Sequence, residues 1–186
     1  MKDTIRLLTA TVVAGLTLLL PIGGGLMASN AMADAATLSC HSSWLTAKMG
    51  RSNGAAGTVY FTLKIVNHSS SSCTLKGVPA AQSGFVAYSM HPWVAVGPRA
   101  SATSIAGRGG TVVLRPGKVA SVDFGVTNAG NYPTSKCAPK SVSTVRITFT
   151  TVTPSVSLGY QLPKQAVCTK TVSTSISGIV LGTYLP

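Results

Sequence analysis

The sequence predicts an all-β fold, an antiparallel β-sandwich held by two disulfides and preceded by a cleavable signal peptide. Three observations carry that reading. Apolar and polar residues alternate with a period of two in several short stretches, Gly and Pro punctuate the chain roughly every ten residues, and four cysteines lie beyond the leader. No stretch after the leader shows a sustained helical period with caps. A barrel is the competing way to close such strands.

The clearest strand is 58–67, where Val59, Phe61, Leu63 and Ile65 would face the core and Thr58, Tyr60, Thr62 and Lys64 the other side. Two more follow. In 118–126, Ala120, Val122, Phe124 and Val126 alternate with Ser121 and Asp123, and in 144–150, Val145, Ile147 and Phe149 alternate with Arg146 and Thr148. Weaker strand candidates are 38–47, 85–90, 93–96, 111–115 and 166–176. The stretch 96–110 is the longest weakly patterned piece and reads as a mobile surface loop.

Hairpin symmetry suggests how the cysteines pair. Strands 38–47 and 58–67 flank "GRSNGAAG", centred near Asn53 and Gly54, which brings Cys40 towards Cys73; strands 141–152 and 165–176 flank "TPSVSLGYQLP", which brings Cys137 towards Cys168. Each bridge closes about 30 residues and contributes about 3 to 4 kcal/mol on a chain-entropy account. Zinc is disfavoured because no two cysteines form a C-x2-4-C clip, and the absence of C-x-x-C removes a thioredoxin-like redox site. No cofactor or metal is expected.

The chain opens with Lys2 and Arg6 around an apolar run, then Pro21, glycines and "SNAMADA", the order of a secretory leader. Cleavage is expected after Ala33, with Ala35 as the near alternative, leaving one domain over 36–186. The alternative is a leader retained as a membrane anchor; the apolar run is shorter than a spanning helix requires and ends at Pro21, so cleavage is the expectation, with no stable span afterwards. Thr37, Leu38 and Ser39 before Cys40 do not make a lipobox.

The net charge is +12, and beyond the leader only Asp34 and Asp123 are acidic. Such a field favours polyanions. The basic residues Lys48, Arg51, Arg99, Arg108, Arg115 and Lys118 are the candidate contacts, set singly or in loose pairs beside turns. Without aromatic interleaving they do not make a nucleic-acid surface. A solvated basic surface that keeps the protein soluble is the plainer reading.

Enzymatic chemistry lacks its acids. Two carboxylates across a glycosidic bond cannot come from Asp34 and Asp123, and no G-x-S-x-G elbow marks a serine nucleophile. His41 is expected on the outer face of a strand, His68 in a turn and His91 before Pro92. Asp123, among so many cations, reads as an ion-pair partner or turn cap. The sequon Asn67-His68-Ser69 fits a surface turn, and chance explains it best. Trp44 and Trp93 read as core residues; Trp93 with Tyr88, or Tyr132 and Tyr160 near loops, would be the alternative binding aromatics.

The ordered pieces "GAAGTVYFTLKIVN" (54–67), "CTLKGVP" (73–79), "VGPR" (96–99), "VVLRPGKVASVDF" (112–124) and "CAP" (137–139), followed by Cys168, resemble a secreted actinobacterial family known as a domain of unknown function. The resemblance implies an exported protein with a small immunoglobulin-like β-sandwich, and it brings no catalytic or binding residues. The expectation is therefore a non-enzymatic binding module of the cell envelope or medium, secreted or wall-associated. Its partner would be an anionic wall polymer or a protein. A secreted inhibitor or effector that docks a protein through 96–110 is the second expectation, and a hydrolase the weakest.

Overall fold

The computed structural model describes residues 38–86 and 92–183. The expected leader and its expected cleavage sites, with Asp34, Tyr88 and His91, lie outside the described residues. In chain order the strands are β1 (Leu45–Ala55), β2 (Thr58–Asn67), β3 (Cys73–Lys76), β4 (Ala80–Val86), β5 (Trp93–Ala95), β6 (Ser101–Thr103), β7 (Thr111–Leu114) and β8 (Val119–Thr127). A one-turn helix α1 (Thr134–Cys137) then leads into β9 (Pro139–Phe149), β10 (Val156–Cys168), β11 (Thr174–Ser177) and β12 (Val180–Leu181).

One sheet runs β1-β2-β8-β11-β6, with β12 also paired to β8; the second runs β10-β9-β4-β5, and β3 pairs with β7. The run β1-β2-β8 has the A-B-E order of one immunoglobulin sheet, and β10-β9-β4 the G-F-C order of the other. The departure sits beside β8, where C-terminal β11 takes the neighbouring place and pairs in parallel with β6. Every other strand pair is antiparallel.

The core lies between the sheets. Phe61, Leu63 and Ile65 of β2 and Val122 and Phe124 of β8 join one cluster with Val145, Ile147 and Phe149 of β9. Burying a side chain of this size is worth about 1.5 to 3 kcal/mol, which is why the alternation was readable in the sequence. Cys40 is bonded to Cys73 and Cys137 to Cys168, the same pairs that hairpin symmetry suggests.

Several expectations need correction. The first hairpin does not turn at Asn53 and Gly54: β1 continues to Ala55, which pairs with Thr58, so the turn is Ala56-Gly57. Both turn residues have positive φ (48° and 76°), the mirror-image turn that matches strand twist, and glycine at the second place makes it inexpensive. Val59, beside that turn, is exposed and not in the core. The segment 38–44 is not strand; Ser42–Trp44 is a 3-10 turn with exposed His41 before it and the His41 and Trp44 rings 4.6 Å apart.

The stretch 153–163 is mostly strand. Val156, Leu158, Tyr160 and Leu162 alternate into the core, while Pro163 falls where the register with β9 shifts between Gln161 and Gln165. A proline is tolerated there because β10 is an edge strand and the bulge needs no ladder donor. Tyr160 is thus a core residue, and its hydroxyl donates to the Lys64 carbonyl oxygen at 3.2 Å. Burial pushes its phenol above the ordinary tyrosine value. The weaker candidate 166–176 divides between the end of β10 and the start of β11.

Asn67 is fully buried rather than on a surface turn. Its amide donates to the Ser71 and Leu114 carbonyls, each at 2.8 Å, and its oxygen accepts from the Ser69 N–H and hydroxyl.

Candidate functional site

Period-two alternation decides what the second sheet shows to solvent. With Ala81 and Ser83 of β4 and Val145 and Ile147 of β9 buried, Ala80, Gln82 and Gly84 share the outer face with Arg146 and Thr148. Gln82 stands opposite Arg146, and Gly84 opposite Thr144. Trp93 of β5 folds across this face and donates its indole N–H to the Thr144 hydroxyl at 2.8 Å. Only glycine permits that position, because a Cβ at residue 84 would come within 2.5 Å of the Trp93 ring.

The guanidinium of Arg146 lies over the indole, 4.5 Å from a ring centroid. Its other neighbour across the ladder is Gly159 on β10, where even an added Cβ would touch nothing within 4 Å. Alanines 80 and 95 keep the floor low, and the result is a groove of about 310 Å³ bordered by Gln82, Trp93, Arg99 and Arg146. Trp93 is therefore half-buried on the outside of the sandwich rather than a core residue. Trp44 is also only partly buried, packed against the edge of the core.

The sequence-predicted cations divide into separate places. Lys48 and Arg51 are exposed on β1; Lys48 lies directly opposite Lys64, and Arg51 borders a hollow of about 430 Å³ together with Lys64. Arg115 and Lys118 sit at the two ends of the β7–β8 turn, joined by the Lys118 N–H to Arg115 carbonyl bond, beside a hollow of about 700 Å³ that Leu181 also lines. Arg99 reaches the Trp93 groove, which the sequence reading did not single out.

Arg108 is the correction in this set. Its side chain is only 4% exposed and pairs with the Asp123 carboxylate at 2.5 Å, so it is not a surface contact for a polyanion. Arg108 also donates to the Ser177 hydroxyl, and Thr62 donates to the other carboxylate oxygen of Asp123. Consequently 96–110 is not a free loop. It contributes β6 to the first sheet and is fastened at Arg108, with the Gly109 N–H bonded to the Ile179 carbonyl.

Residues 40–176 match the family described as Domain of unknown function (DUF4232). The chain belongs to that family. The matched span contains all four cysteines, the Arg108–Asp123 pair and the whole Trp93 groove, so these are features of a DUF4232 domain. No curated protein and no solved structure gives a significant match to the chain.

Among the described residues, no three His, Cys, Asp or Glu side chains gather into a metal-ligand set. No helix among them is long and apolar enough to cross a membrane. All four cysteines are oxidised, the bonding state of an oxidising, extracellular environment. What the surface offers chemically is donors: arginine forks and lysine ammonium groups, with the lone acid of the described residues already engaged.

Proposed function

We propose that this protein is an exported, non-enzymatic binding module whose basic surface holds an anionic polymer of the cell envelope. The observation that carries the reading is the cross-strand pair Lys48–Lys64 next to Arg51, with no carboxylate among the described residues left to neutralise them. Like charges directly opposite on neighbouring strands destabilise a sheet, and an incoming polyanion relieves that repulsion. The secretory leader in the sequence and the two disulfides support export.

The test is retention of the protein, released from its leader, on isolated walls across a salt series. Binding at low ionic strength that falls away towards about 1 M salt, where the screening length is near 3 Å, is the expected result. Retention that is indifferent to salt, or absent at low salt, rejects the reading.

A further inference from the structure

We propose that the Trp93 groove is the seat of a single oxyanion, a phosphate or carboxylate carried on a sugar or polyol unit of such a polymer. This rests on the polyanion reading above and adds a defined subsite to it. Arg146 carries its guanidinium over the indole, 4.5 Å from a ring centroid, a contact that holds its fork of N–H donors beside the groove before a ligand arrives. No carboxylate among the described residues is available to occupy that fork, because Asp123 is buried beneath Arg108.

A second arginine is brought to the same groove by a built contact. The Gln82 side chain donates to the Val96 and Gly97 carbonyls at 3.2 and 2.9 Å, which pins the short turn that presents Arg99. Gln82 is thus a positioning residue, and Arg99 with Arg146 can grip one oxyanion from two sides of the groove. The volume of about 310 Å³ holds roughly ten water-sized groups, enough for one phosphorylated polyol or acidic sugar. Base stacking is disfavoured, since the Trp93 ring packs against Gly84 and carries the Arg146 guanidinium over it.

The experiment measures binding of the protein to immobilised poly(glycerol phosphate) and to polygalacturonate at low salt, for wild type, Arg146→Ala, Arg146→Lys and Lys136→Ala. Lys136 is exposed on α1, away from the groove lining, and its substitution removes the same charge. Arg146→Ala is expected to weaken binding about tenfold or more, the loss of a charge-assisted hydrogen bond, and Arg146→Lys nearly as much because the fork and the stacking are gone. Lys136→Ala should cost less than about threefold, as a screened surface charge does.

Whichever polymer shows the Arg146 dependence identifies the oxyanion. Salt-sensitive binding that Arg146→Ala and Lys136→Ala weaken equally overturns the groove while leaving the polyanion reading in place, and full rescue by Arg146→Lys does the same. A wild type that binds neither polymer at low salt overturns both. Should Arg146→Ala melt abnormally, Arg99→Ala replaces it with the same expected loss.

Discussion

Two arginines on opposite outer faces of the sandwich have opposite fates. Arg108 is drawn over the first sheet, its side chain shielded from water, and bonded to Asp123 and Ser177. Arg146 lies over the second sheet on Trp93, exposed to solvent. The residue type is the same, and what differs is the strand position beneath it. β8 offers an acid under a covering segment, whereas β4 offers a glycine that lets an indole lie down. A cation with a buried acid becomes part of the frame; a cation laid on an aromatic ring stays available.

That contrast breaks most sharply at Asp123. Removing the carboxylate in Asp123→Ala leaves a buried guanidinium without its counter-ion and should cost about 3 to 5 kcal/mol, read as a fall in denaturant midpoint. A loss below about 1 kcal/mol would mean the pair behaves like a surface bridge. The second test acts on the other face. Gly84→Ala forces a Cβ against the Trp93 ring, so about 1 to 3 kcal/mol should be lost and the indole emission should shift as the ring lifts. Unchanged emission would show that the indole does not need the glycine. The smallest effect belongs to Arg146→Ala, which should alter thermal stability by no more than about 1 kcal/mol while abolishing most polymer binding. If Arg146→Ala destabilised as much as Asp123→Ala, the two arginines would both be structural and the contrast would fail.

Much of the frame was legible because buried strands leave a periodic trace. Phe61 to Ile65, Val122 to Phe124 and Val145 to Phe149 face the core where alternation puts them. Cysteine pairing was legible for a related reason, since symmetry about a hairpin survives even when the turn is placed three residues too early. The misreadings came from local signals overruled by distant ones. Gly159 and Pro163 looked like loop punctuation, but an edge strand with a bulge accommodates them, while Pro154 does lie in the turn between β9 and β10.

Ser121 and Asp123 looked solvent-facing, yet both are buried. A period of two says only that two faces differ, and it does not reveal which segment, tens of residues away in folding space, comes to cover one of them. The Trp93 groove was hidden for the same reason. Its parts come from β4, β5, β9 and the turn after Val96, and nothing in a single stretch announces that Gly84 makes room for a tryptophan.

Asn67, buried at the end of β2 with its amide spent on two carbonyls, sets a condition on how the protein can be produced. A host that attaches glycans to nascent Asn-x-Ser sites would meet this asparagine before the sandwich closes around it. A sugar installed there occupies the nitrogen that the finished fold needs and has no room to leave the core. Folded material from such a host should therefore carry a bare Asn67, with the glycosylated fraction lost to quality control, and an intact-mass comparison of the two fractions would show it. Bacterial secretion avoids that sorting altogether.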